Sequence, residues 1–191
     1  MSWIIDKTFE FEYSHRVWAQ QLNKEYSVDD KCICRFLHGH HAKVHIFLES
    51  IQLDNQSMVT DFKHLNWLKQ FFDKYLDHKF ICDVNDPYLS KWMEPLFGNE
   101  LPQYVPVIVP NTVMVAGHTL NLSTVAQNTA DYEIGESFVL VNFIPTSENL
   151  AKWFYDITSF KMANLGVKVS RVDFWETPKS RSSYRGGYVS K

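Results

Sequence analysis

The chain has 191 residues, 45% hydrophobic and 21% charged, with a formal net charge of −3. That size and balance describe one globular domain with a substantial core, and the acidic charge argues against a general nucleic-acid binder. No apolar run is long enough to span a membrane, residues 1–6 lack a signal-peptide layout, and three cysteines is an odd count, so reduced thiols in a cytoplasmic setting are expected.

In chain order, residues 3–15 alternate as a strand should, with Phe9, Phe11, Tyr13 and His15 on one face. Residues 16–37 are polar and mixed, a long connection that carries Cys32 and Cys34. Residues 38–51 alternate again. His38 and His40 share parity with Ala42, Val44, Ile46 and Leu48, while His41, Lys43, His45 and Glu49 face the other way. Helical spacing of Phe62, Leu65, Leu68, Phe72 and Tyr75 or Leu76 predicts a helix over 61–76, capped by Thr60 or Asp61. Cys82 reads as a buried small hydrophobe. Residues 83–143 hold five prolines between 87 and 110 and β-like runs at 105–109 and 112–115. Residues 123–137 are polar, and His118 reads as a solvated loop histidine. A second helix is predicted over 147–160, with Leu150, Trp153, Phe154 and Ile157 on one face and Thr146 or Ser147 at its cap. A last strand is predicted over 166–176, where Glu176 ends an apolar face shared with Val172 and Phe174. There is no internal repeat and no low-complexity tract.

The chemistry concentrates in Cys32-Ile33-Cys34-Arg35-Phe36-Leu37-His38-Gly39-His40. On a strand His38 and His40 point to the same side and reach one ion. A catalytic zinc takes three protein ligands and keeps an open position, and His15, ending the other apolar stripe, is the best third ligand. A lone H-x-H is often only a half-buried polar strand. Two apolar faces that both end in histidine favour the metal reading, because imidazoles there need partners to offset desolvation.

Six blocks then occur in order: F-x-x-S-H (Phe11 to His15), C-x3-H-G-H (Cys34 to His40), M-V-x-D-F (Met58 to Phe62), L-D-H-K (Leu76 to Lys79), P-T-S-E-N (Pro145 to Asn149), and E-T with Y-R-G (Glu176, Thr177, Tyr184 to Gly186). In these the chain resembles the 6-pyruvoyl-tetrahydropterin synthase / 6-carboxytetrahydropterin synthase family, the bacterial-type 6-carboxytetrahydropterin synthases above all. The resemblance implies a single domain over 1–191 with the α+β tunnelling fold (T-fold). This is a four-stranded antiparallel sheet with two helices on one face, assembled by sheet extension into an oligomeric barrel. Residues 83–143 stand out as an insertion that family members usually lack.

The resemblance also implies roles. Zn2+ sits on His15, His38 and His40. A cysteine before the H-G-H acts as thiolate base. The carboxytetrahydropterin synthases place it four residues before the first histidine, at Cys34, and the pyruvoyl synthases six before, at Cys32. Both are present, and the closing Glu176-Thr177 to Tyr184-Arg185-Gly186 pattern favours Cys34. His78 relays protons with Asp77 orienting it, the pair coming from a neighbouring subunit of a homo-oligomer, with a hexamer favoured. Without the resemblance, His78 is a helix-end histidine beside the helix dipole. Glu176 anchors the pterin, Thr146 and Glu148 line its pocket or merely cap a helix, and Lys179, Arg181 and Arg185 lie where a triphosphate is met. The implied reaction converts 7,8-dihydroneopterin triphosphate to 6-carboxy-5,6,7,8-tetrahydropterin with release of acetaldehyde and triphosphate, on the route to 7-deazaguanines such as queuosine. The alternatives are 6-pyruvoyl-tetrahydropterin synthase and a non-catalytic pterin- or zinc-binding relative. No nucleic-acid or membrane partner is expected.

Overall fold

The structure is a computed structural model and describes residues 2–29, 31–92, 104–106, 117–120 and 137–187. Strand β1 (Trp3–His15) and strand β2 (His38–Ser50) pair antiparallel over their whole lengths, with His15 opposite His38 and Tyr13 opposite His40. The alternation predicts this register: it puts Phe9, Phe11 and Tyr13 on the same buried side as Ala42, Val44, Ile46 and Leu48. Strand β7 (Lys168–Thr177) pairs antiparallel with the far edge of β2, and β8 (Ser180–Tyr184) returns along β7.

The expected four strands are therefore present as one antiparallel group, but among the described residues the sheet has eight. Beyond β1 lie β3 (Lys79–Asp83), β6 (Phe138–Val141), β5 (Gly117–Leu120) and β4 (Tyr104–Pro106), in the order β4-β5-β6-β3-β1-β2-β7-β8. β3 runs parallel to β1 and to β6, so the sheet is mixed. The extra width comes from the edge of β1 that β2 leaves open and from three short strands within 83–143. Strands of three and four residues carry too little alternation to be read in advance. The start of the run at 105–109 lies in β4, and 107–110 and 112–115 lie outside the described residues. His118 stands in β5, opposite Leu140, and not in a loop.

The two helices expected from the sequence pack on the Phe11 side of the sheet. Helix α1 (Asn66–Tyr75) follows a 3-10 turn at Phe62–Leu65, so the expected 61–76 helix begins as a tighter coil. Asp61 caps that turn by accepting from the Lys63 N–H at 2.7 Å, while Thr60 pairs with His64. The tighter turn rotates Phe62 off the apolar face, and it is 51% exposed. Helix α2 (Ser147–Met162) starts at Thr146, whose hydroxyl accepts from the Asn149 N–H. It ends in a short 3-10 turn and Gly166 at φ +69°, a left-handed position that glycine holds without strain.

Phe72 of α1 and Phe154 of α2 meet Phe11 of β1 at ring-centroid distances of 4.9 and 6.1 Å. Each fully buried aromatic of this kind contributes roughly 1.5–3 kcal/mol by leaving water. The histidine ends of β1 and β2 are anchored by this packing. Among the described residues no helix is long and apolar enough to cross a membrane.

Candidate metal centre and active site

His15 ends β1 and is completely buried. Its Nδ1 lies 2.6 Å from the carbonyl oxygen of Pro145, just before α2. A carbonyl only accepts, so Nδ1 carries the proton and Nε2 is left with a lone pair. His38 repeats the device: its Nδ1 lies 2.7 Å from the Phe36 carbonyl, which leaves its Nε2 free. The two Nε2 atoms face each other at 3.1 Å. Two lone pairs at that distance repel unless a proton or a cation lies between them.

His40 supplies the third nitrogen. Its Nε2 is buried without a hydrogen-bond partner. Ligand atoms of His15, His38 and His40 all fall within 4.8 Å of one another. Three converging imidazoles, two with their outer nitrogens tied to carbonyls and one with an orphaned inner nitrogen, fit a zinc ion in donor chemistry and tautomer. Burial lowers the His15 pKa to about 4, and burial with the nearby His38 lowers that of His40, so both are held in the neutral form a metal requires. Gly39 matters for a steric reason, since a Cβ there would stand 3.3 Å from the Tyr13 carbonyl oxygen.

Glu176 enters from β7, one Oε1 lying 3.3 Å from His15 Nε2 and 3.7 Å from His40 Nε2. The register of β7 against β8 shifts between Trp175 and Thr177, and that irregularity accompanies the turn of Glu176 toward the histidines. Burial, and Glu148 nearby, raise its pKa above the usual carboxylate range. Tyr13 was not singled out as a site residue by its sequence context beyond its buried face. Its hydroxyl is buried beside Glu176 and lacks a hydrogen-bond partner, and burial together with that carboxylate pushes the phenol well above its ordinary range.

Cys34 sits in a 3-10 turn, Ile33–Arg35, and Cys32 caps it by accepting from the Cys34 N–H at 3.4 Å. The two cysteines therefore share one turn, with thiols close enough to interact, and do not repeat along a strand. Burial, then the Cys32 thiol and the Glu176 carboxylate, push the Cys34 pKa up to about 11. Thr146 is the cap of α2, and Glu148 is exposed on its first turn with Ser147 donating to it at 3.2 Å. Arg185 is exposed. Arg181 is engaged in its own sheet, 3.4 Å from Asp173 and over the Trp175 ring.

Asp77 and His78 are not brought to this centre within the chain. Asp77 accepts from the Glu12 N–H at 2.8 Å and the His78 N–H donates to the Glu12 carbonyl at 2.7 Å, which places them on the edge of β1 away from β2. His78 is 78% exposed, its Nδ1 lies 3.0 Å from Asp77, and its backbone is left-handed at φ +59°. A cavity of about 600 Å³ opens on the sheet face away from the helices, between Lys43, His45, Trp175 and Thr177, and touches the site at His40 and Glu176.

The family model for 6-pyruvoyl tetrahydropterin synthase matches residues 4–187. A 6-carboxy-5,6,7,8-tetrahydropterin synthase from Aquifex aeolicus is 35% identical over 198 residues, covering 97% of this chain and 99% of that protein. An uncharacterized protein from Wolinella succinogenes, solved by crystallography, is 40% identical with a TM-score of 0.86, covering 98% and 99% of the two chains. The 6-pyruvoyl tetrahydropterin synthase of Caenorhabditis elegans shares the fold at 17% identity, TM-score 0.54, over 98% of this chain and 97% of its own.

Proposed function

The chain belongs to the 6-pyruvoyl tetrahydropterin synthase family, and we propose that it is a zinc-dependent 6-carboxytetrahydropterin synthase acting on 7,8-dihydroneopterin triphosphate. The observation that carries this is the pair of facing Nε2 lone pairs on His15 and His38, completed by the orphaned nitrogen of His40, with Glu176 against them. Zinc held by these three would supply Lewis acidity to the substrate's side-chain hydroxyls and positive charge beside the catalytic thiol.

Cys34 is the base. With its pKa pushed up to about 11 it holds its proton at neutral pH, and it gives that proton up only when positive charge offsets its burial and the Glu176 carboxylate. As thiolate it removes a carbon-bound proton of the substrate side chain. Glu176 presents its carboxylate to the N–H edge of the pterin, with the buried Tyr13 hydroxyl beside it. Thr146 and Glu148, at the start of α2, flank the ring, and Arg185 meets the triphosphate. His78, oriented by Asp77, serves the site of a neighbouring subunit, which its exposure and its place on the edge of β1 away from β2 support. The enzyme is then a cytoplasmic homo-oligomer, a hexamer by preference, and works in the route to 7-deazaguanines such as queuosine.

Zinc-loaded protein supplied with 7,8-dihydroneopterin triphosphate should yield 6-carboxy-5,6,7,8-tetrahydropterin, acetaldehyde and triphosphate. Accumulation of 6-pyruvoyl-tetrahydropterin would assign the sister synthase. Pterin binding without turnover would assign a non-catalytic relative.

A further inference from the structure

The first turn of the segment that opens at residue 83 is built against the residues that follow His15. Asp83 and Asp86 are 2% and 4% exposed. Buried carboxylates need partners, and these two find them across the chain. Asp83 Oδ2 accepts from the Trp18 indole N–H at 2.9 Å, while its Oδ1 accepts from the Asn85 backbone and side chain at 2.9 and 3.1 Å. Asp86 Oδ2 lies 2.9 Å from Arg16 Nε, and its Oδ1 accepts from the Tyr88 N–H at 2.9 Å. The Arg16 guanidinium also sits over the Tyr88 and Trp92 rings, 5.1 and 5.6 Å from their centroids. Both neighbours of Val17 are thus pinned by one turn.

Val17 is where this reaches the site. Its N–H donates to the Cys34 carbonyl at 2.8 Å, the one backbone hydrogen bond among the described residues that ties the Cys34 turn to the end of β1. A three-residue 3-10 turn inside a long polar connection has little stability of its own and takes its position from such ties. We infer that Asp83 and Asp86 are positioning residues that place Cys34 through Trp18, Arg16 and the Val17 N–H. This rests on the reading of Cys34 as the base. It gives the start of the extra segment a role in the reaction without contact to substrate.

The test uses the double variant Arg16→Lys/Trp18→Phe in the full-length, zinc-loaded protein. It removes the guanidinium paired with Asp86 and the indole N–H given to Asp83, and keeps the charge and an aromatic ring. Zinc content, kcat, KM and the rate of Cys34 alkylation, followed by mass spectrometry, are measured together. A misplacement on the order of 1 Å costs roughly 100-fold in rate, so kcat should fall about 10- to 100-fold. Zinc should stay at the wild-type level, KM should change little, and Cys34 alkylation should change several-fold. Wild-type kcat with wild-type alkylation overturns the inference, and so does a loss of zinc that parallels the loss of kcat, which would mark general damage to the site. Cys34→Ala is assayed alongside. If it keeps turnover, the base assignment fails, and the alkylation rate alone then decides whether the aspartates place Cys34.

Discussion

His15 and His38 stand directly opposite each other in the β1–β2 register, with Nε2 atoms 3.1 Å apart and both outer nitrogens committed to backbone carbonyls. Neither ring can turn away without losing its carbonyl bond. The repulsion between the two lone pairs is therefore built in, and binding a cation relieves it.

The first prediction follows from that repulsion. One zinc per chain should be found by elemental analysis, and His38→Ala/His40→Ala should abolish it. His41→Ala and His45→Ala should keep it, because those side chains lie on the opposite face. Chelation should lower the thermal midpoint and zinc should restore it, since a ligand at 100 times its Kd adds about 2.7 kcal/mol to stability.

The second concerns the thiols. Cys34→Ala should lose at least about 100-fold in kcat, the lower range for a general base, with zinc content unchanged. Cys32→Ala should retain most activity, reduced only by the loss of the cap it gives the turn. If Cys32→Ala is the inactive variant and the product is 6-pyruvoyl-tetrahydropterin, the assignments of base and product both reverse.

The third concerns His78, which holds a left-handed backbone at the end of α1. For a side-chain-bearing residue this costs on the order of 1 kcal/mol, which glycine avoids. His78→Gly should therefore match or exceed the wild-type thermal midpoint while losing most activity, a separation that a purely structural histidine would not give. Because the pair lies away from its own centre, co-expressed His78→Gly and Cys34→Ala chains should recover part of the activity in mixed oligomers. A monomer in light scattering, or no recovery, is inconsistent with a shared site.

The fourth is a pH dependence. Cys82 is buried, and burial, with Asp86 and Asp83 nearby, raises its thiol pKa above the ordinary value. The unfolded thiol titrates near ~8.5, so the folded chain keeps a proton that the unfolded chain releases. The contribution of Cys82 to stability is complete below that pH and is lost progressively as pH rises from there toward the higher pKa of the folded state. The urea midpoint should fall between pH 8 and 10, and fall less steeply in Cys82→Ala. Equal slopes would refute the assignment. Iodoacetamide at neutral pH should leave Cys82 unmodified in the native protein and label it in denaturant.

The sequence by itself determined the parts of this protein governed by short periods. Side chains on a strand alternate with a period of two, so His38 and His40 must share the apolar face of Ala42 to Leu48, and Tyr13 and His15 must continue that of Phe9 and Phe11. Helical spacing likewise marked α1 and α2, with Thr146 as the cap of α2, whereas Asp61 caps only the tight first turn that expels Phe62 and α1 itself starts at Leu65 without a side-chain cap.

Tertiary structure decided what depends on contacts distant in sequence. The acceptor that fixes the His15 tautomer, the Pro145 carbonyl, is 130 residues away, and a carbonyl oxygen carries no sequence signature. The width of the sheet was set by short strands pairing beyond β1, where three to five residues are too few to show alternation. The approach of Glu176 goes with a register shift, and the placing of Cys34 depends on two carboxylates some 50 positions downstream. Local pattern selects which residues face inward, and only packing decides which of them meet, because convergence depends on the path of the whole chain.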